Sequence, residues 1–223
     1  MSSVADNLEQ IRSGIPEGVT LVAVSKFHPI EKLREAYGAG QRIFGESRAQ
    51  ELLQKCPEMP KDTEWHFIGH LQKNKVRSLV PIVSLFHSVD SLELLECIDR
   101  HAGNIGKVAR VLLELHVAQE QSKSGMTPEE CLNIVQSGVL DTLKNVKVCG
   151  VMGMATNTDD DTLIRAEFHT IKEIFDTLKS KYFQNDSDFR YISMGMSDDR
   201  DIAIEEGSNM VRVGTAIFGM REY

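Results

Sequence analysis

The chain lacks a CxxC pair: its four cysteines, Cys56, Cys97, Cys131 and Cys149, are scattered through 223 residues. That excludes a zinc knuckle and a dithiol redox pair, and it suits thiols kept reduced and packed as small apolar groups. Positive charge is also in short supply, with 25 Lys and Arg against 33 Asp and Glu, for a net charge of -8. A general nucleic-acid or anionic-membrane partner is therefore not expected. No Walker loop and no GxGxxG occurs, so the nucleotide folds that depend on them find no support. No apolar run approaches the length of a membrane span, and Met1 to Gln10 is polar and acidic, unlike a secretory signal. Long linkers, low-complexity tracts and internal repeats are missing as well. The expectation is a cytoplasmic protein with one folded domain, residues 1–223.

What is present is an alternation. Strand-like runs fall at 19–25, 42–44, 65–68, 85–89, 109–117, 146–154, 190–194 and 210–213. Several are almost continuously apolar, as expected of strands covered on both faces. Helical periodicity fills the gaps, most clearly Ile164, Phe168, Ile171, Phe175, Leu178 and Tyr182, with Asp159, Asp160 and Asp161 at its start. Thr127-Pro128-Glu129-Glu130 reads as a capping box. Ser91 and Ser197 read as N-caps, and Gly207 as a helix stop. Eight β–α units of this size predict a compact (β/α)8 TIM barrel, with an open doubly wound sheet as the rival.

In a barrel, ligand groups lie just after each strand. Those positions hold Lys26; Gly45 and Glu46; Gly69 and His70; Asp90; Met154; Ser193 and Gly195; Gly214 and Thr215. Lys26 follows the run Leu21-Val22-Ala23-Val24-Ser25, and Pro29 then opens a helix-like stretch. A lysine half withdrawn from water at a strand end can present the neutral amine that forms a Schiff base with an aldehyde; otherwise it simply reaches solvent. Gly214 and Thr215 open a short segment after the eighth strand, where close backbone approach and free N–H groups suit a phosphate. Ser193 adds a hydroxyl donor; a tight turn stabilised by its own backbone is the plainer alternative. Arg212 interrupts an apolar run, and a buried arginine needs a partner: a carboxylate or a ligand atom.

Other features are weaker. His66 and His70 lie on a strand and turn without the Glu of HExxH, so core or rim histidines are expected. Lys73, Lys75 and Arg77 read as a solvated helix face, and Asp198, Asp199 and Asp201 as helix-start acids.

Five blocks, taken together, resemble the pyridoxal phosphate homeostasis protein family. They are Leu21 to Lys26, Phe44-Gly45-Glu46, Trp65 to Lys75, Ser193 to Asp199 and Met210 to Gly219, with Lys123-Ser124-Gly125 also matching. They occur in order over nearly the whole chain. The resemblance implies a single barrel similar to the alanine racemase N-terminal domain. It implies pyridoxal 5′-phosphate as an internal aldimine on Lys26, with Arg212 facing the pyridine nitrogen and Ser193, Gly214 and Thr215 holding the phosphate. An arginine there cannot accept a proton, so the ring nitrogen would stay neutral and the electron sink weak. One departure is that Ser47 and Arg48 follow Phe-Gly-Glu, where many relatives have Asn; no cofactor contact is carried to Ser47.

The resemblance implies a monomeric carrier that holds pyridoxal phosphate and passes it to apo enzymes dependent on that cofactor. A pyridoxal-phosphate-dependent amino-acid racemase is the alternative, although eight β–α units leave no room for the second domain such racemases use. A barrel aldolase with a Schiff-base lysine leaves Arg212 and the phosphate-type loop unexplained.

Overall fold

A computed structural model describes residues 3–220. Its strands are β1 (Thr20–Val24), β2 (Ile43–Glu46), β3 (Glu64–Phe67), β4 (Val83–Val89), β5 (Ala109–Leu115), β6 (Val146–Gly153), β7 (Tyr191–Ser193) and β8 (Met210–Val213). The helices among the described residues are α1 (Val4–Ser13), α2 (Ile30–Gly38), α3 (Ala49–Lys55), α4 (Lys73–Leu79), α5 (Leu92–Gly103), α6 (Pro128–Gln136), α7 (Asp161–Lys181), α8 (Arg200–Glu205) and α9 (Thr215–Phe218). The strands pair in parallel and in chain order, and β1 closes the ring by pairing with both β2 and β8. Ala23 lies opposite Phe44 on one side and Val213 on the other. Closure makes the fold a (β/α)8 barrel and rules out the open sheet.

Alternation along each strand explains the two cores. Outward side chains such as Ala23, Phe44, Trp65, Phe86, Leu113 and Val211 join the helices in one large apolar cluster. The larger of these, such as Phe44, Phe86 and Leu113, each contribute roughly 1.5–3 kcal/mol when fully buried. Inward side chains Val22, Leu85, Leu112, Cys149, Met152 and Met210 form a smaller cluster inside the barrel. Because both faces are covered, the strands read as continuous apolar runs.

Start signals largely hold. Thr127 and Glu130 form both bonds of the capping box on α6. The Asp160 carboxylate caps α7 by accepting from the N–H groups of Thr162 and Leu163. Gly207 takes a φ of 99° just past α8, as a helix stop requires. Two caps differ from expectation. Ser91 occupies the N-cap position of α5, but its hydroxyl donates to Asp90. Ser197 is not a cap: Asp199 precedes α8, and its carboxylate accepts from the Met196 N–H. Among the described residues no helix is long and apolar enough to cross a membrane.

Candidate functional site

The C-terminal mouth of the barrel holds a cavity of about 310 Å³. Its wall includes Lys26, His28, Met154, Ser197, Arg212, Gly214 and Thr215. Of the five residues expected to bind a cofactor, the cavity gathers Lys26, Arg212, Gly214 and Thr215. Ser193 is not in its wall. Ser193 is fully buried behind Arg212, with its hydroxyl 2.6 Å from Arg212 Nη1 and 3.0 Å from His87 Nδ1. Ser197, four residues on, reaches the wall instead, because the chain reverses at Gly195 with a φ of 93°. A Cβ on Gly195 would lie 2.6 Å from that of Ala203, so only glycine makes this turn.

Lys26 sits in the turn that follows β1, where the His28 N–H donates to the Ser25 carbonyl. The turn is clamped from α3. Lys55 Nζ donates to the Ser25 carbonyl at 2.9 Å, to Glu46 Oε1 at 2.7 Å and to Glu51 Oε2 at 3.0 Å. The Ser25 hydroxyl donates to Glu46 Oε1 at 2.7 Å. Glu51 Oε2 accepts from the Phe27 N–H at 2.8 Å, and Phe27 has a φ of 66°. The backbone on both sides of Lys26 is thus tied to one buried ion cluster. Glu46 therefore belongs to the clamp and does not line the cavity, although it ends β2. Burial pushes its carboxyl up in pKa, against the pull of Lys55. Burial acts upward on Glu51 too, but the Phe27 N–H and Lys55 outweigh it and hold that carboxyl low.

Arg212 is buried inside the barrel. Its partners are neutral: Nη1 donates to the Ser193 carbonyl at 2.7 Å and to the Ser193 hydroxyl, and Nη2 to the Gly153 carbonyl at 3.0 Å. Among the described residues no carboxylate lies within salt-bridge distance of it, so of the two partners the sequence left open the carboxylate is not found, and backbone oxygens and the Ser193 hydroxyl hold the guanidinium. Burial lowers its pKa to about 10, opposed by Asp199 and Glu114, and it stays charged at neutral pH.

His66 and His87 are both buried, as core histidines, while His70 lies exposed beside Asp90. Lys73 pairs with Glu93 on the surface, as a solvated face should. Among the described residues no cluster of potential metal ligands forms. Sequence reading missed His87, Ser197 and the Lys55–Glu51 clamp.

A closed parallel barrel whose C-terminal mouth brings a lysine after the first strand and an arginine of the eighth into the wall of one cavity defines the class: a (β/α)8 barrel with its candidate site at the strand ends. The match to the family model "Alanine racemase, N-terminal domain" runs over residues 1–222. A pyridoxal phosphate homeostasis protein of Aquifex aeolicus is 39% identical over 204 residues, covering 91% of this chain and 87% of that one. Its counterpart in Vibrio alginolyticus is 36% identical over 238 residues, covering 100% of both chains. Among solved structures, PipY of Synechococcus elongatus with pyridoxal phosphate bound superposes with a TM-score of 0.87 at 37% identity, covering 97% of this chain and 100% of that one. Alanine racemase of Clostridium difficile, at 16% identity and a TM-score of 0.77, shares the fold. The chain belongs to the alanine racemase N-terminal domain family, among the pyridoxal phosphate homeostasis proteins.

Proposed function

We propose that this protein holds pyridoxal 5′-phosphate as a Schiff base on Lys26 and serves cytoplasmic homeostasis and delivery of that cofactor, as a monomer that hands it to apo enzymes. The observation that carries this reading is the convergence of Lys26, Arg212, Ser197, Gly214 and Thr215 on one cavity. The residues fit the group. Lys26 is an amine for the aldehyde. Arg212 is a fixed cation with donors only, suited to an unprotonated ring nitrogen. Ser197 and Thr215 bring hydroxyls for the phosphate. At Gly214 a Cβ would lie 3.2 Å from the Val24 carbonyl oxygen, so the missing side chain keeps this approach open. The phosphate role expected of Ser193 passes to Ser197, because the Ser193 hydroxyl is engaged with Arg212 and His87.

When bound, pyridoxal phosphate supplies an aldehyde that condenses reversibly with amines and a ring that draws electrons from the adjoining carbon. The chain limits the second property. Arg212 cannot give up a proton readily, so the ring nitrogen it faces stays neutral, which favours holding over carbanion chemistry. Relatives support the same reading: the pyridoxal phosphate homeostasis protein of Vibrio alginolyticus aligns with this chain at 36% identity over 238 residues.

The test is the visible spectrum of the purified protein mixed with pyridoxal phosphate, before and after borohydride, followed by peptide mapping. An imine band that bleaches, with pyridoxyl mass on Lys26, is expected. Lys26→Ala should lose that label while keeping the far-UV spectrum and melting transition of the fold, since only a side chain beyond β1 changes. No band in the wild-type protein would remove the cofactor reading. Label on another lysine would move the site.

A further inference from the structure

Below the Lys26 cavity Val22, Leu85, Leu112 and Met152 pack inside the barrel, and a polar thread runs beside them. The thread starts at Arg212, whose Nη1 donates to the Ser193 hydroxyl at 2.6 Å. It continues 3.0 Å to His87 Nδ1, and from His87 Nε2 it runs 2.9 Å to His66 Nδ1. His66 in turn borders a small cavity of about 80 Å³ at the opposite mouth, beside Glu64, Ser84 and Arg110. Four strands, β8, β7, β4 and β3, contribute one member each.

The protons along this thread can be placed by elimination. Arg212 has only donors, so the Ser193 oxygen accepts. If His87 also donated to that oxygen, the hydroxyl proton of Ser193 would lose its acceptor, since among the described residues this hydroxyl bonds with Arg212 and His87. The hydroxyl therefore donates to His87 Nδ1. A neutral His87 then carries its proton on Nε2 and donates to His66 Nδ1. His66 likewise carries its proton on Nε2, the nitrogen left for the lower cavity. Burial keeps both rings neutral: it lowers His66 to about 3, and it lowers His87 well below an ordinary histidine, helped by His66 and Arg212.

This order has an electrostatic consequence. Each member turns its lone pair, the negative end of its dipole, toward Arg212, so the three dipoles add along the barrel. The reversed order would aim two imidazole N–H dipoles at the buried guanidinium, whose hydrogen-bond partners are neutral oxygens.

We propose that Ser193, His87 and His66 form a one-way hydrogen-bond relay, both imidazoles in the Nε2–H form, that positions and stabilises the Arg212 charge facing the cofactor ring. They are positioning residues, and the ring-facing role of Arg212 rests on the function proposed above. The relay itself is a property of the protein without ligand and is tested there first.

Long-range 1H–15N NMR of the ligand-free protein reads the tautomers directly. An unprotonated Nδ1 and a protonated Nε2 are expected for both His66 and His87. A protonated Nδ1 or an imidazolium at either residue at neutral pH would overturn the assignment, and this readout needs no variant to fold. For the functional half, His87→Leu removes the acceptor from Ser193, whereas His87→Asn places an amide oxygen close to the position of Nδ1. His87→Leu should weaken pyridoxal phosphate about 10-fold and displace the imine band, and His87→Asn should recover most of the affinity. An unchanged affinity and band in His87→Leu would overturn the positioning role. A wild-type protein that takes up no pyridoxal phosphate would overturn the proposed function instead, while the tautomers still decide the relay.

Discussion

The ammonium of Lys55 is buried against Glu46, Glu51 and the carbonyl one residue before Lys26. Its removal would leave the Glu46 carboxyl in the barrel wall with a single donor, the Ser25 hydroxyl. Lys55→Met is expected to destabilise the protein by about 3–5 kcal/mol, the usual cost of stranding one partner of a buried pair. The double variant Lys55→Met/Glu46→Leu should recover a large part of that loss, because the pair is then replaced by apolar volume. Urea melts of the two single variants and the double variant check this; simple additivity would mean that the two groups do not act as a pair. At this scale the sequence was legible where charge meets an apolar run. Lys26 stands out because it follows an apolar run, and Arg212 because it interrupts one. Lys55 does not stand out, because a lysine on a short amphipathic helix normally reaches solvent. His87 is hidden for a different reason: a neutral imidazole inside an apolar strand resembles core. Ser193 was read as the ligand donor and Ser197 as a helix cap, whereas Ser197 reaches the cavity, since the direction of each hydroxyl depends on the turn at Gly195.

Among the elements, all eight strands were readable from alternation and apolar runs, with ends within two residues of those observed: too long at β1, β5, β6 and β7, and too short at the end of β2 and the starts of β3 and β4. The excess has a cause at β1. The Ser25 carbonyl accepts from Lys55 and the His28 N–H rather than from a neighbouring strand, so the strand stops at Val24. Long helices were equally legible. α7 keeps Ile164, Phe168, Ile171 and Leu178 buried on the face that its spacing picked out. The short α8 was legible at its end, Gly207, but its start was set at Ser197, two residues before the observed N-cap position Asp199, because the turn at Gly195 and not periodicity fixes where it begins. The α7 cap offers a direct check. Asp160 accepts from Thr162 N–H at 3.0 Å and Leu163 N–H at 3.3 Å. Asp160→Ala should cost about 1 kcal/mol in denaturant melts, and Asp160→Asn, which also caps well, should cost little. Equal losses in the two variants would show that the carboxylate acts through its charge at the helix start and not as an acceptor.

For the molecule as a whole, the polar thread that carries Arg212 also sets how the fold responds to acid. In the unfolded chain His66 and His87 titrate near 6.5. In the folded chain burial keeps both neutral far below that, His66 down to about 3. Between those values the unfolded state binds protons that the folded state refuses, so stability falls as pH falls from about 6.5. Each buried histidine contributes a slope of about 1 kcal/mol per pH unit in that window. Glu46 and Glu114 work the other way. Burial raises both carboxyls, so the folded state holds their protons at a pH where the unfolded chain has released them. Their contribution gains as pH falls toward the unfolded value and partly masks the histidines in the wild-type curve. The difference between proteins separates the two effects. His66→Asn keeps both carboxyls and removes one titrating ring, so between pH 6.5 and pH 4.5 its stability should fall with acidification less steeply than that of the wild type, by about 1 kcal/mol per pH unit. Urea unfolding at three pH values across the window measures this. An identical slope in the variant would mean that His66 takes up its proton in the folded barrel, and a charged His66 could not accept from His87. The same measurement therefore joins acid stability to the support of Arg212: the ring that must stay neutral to orient the thread is the ring whose neutrality the folded state loses stability to keep.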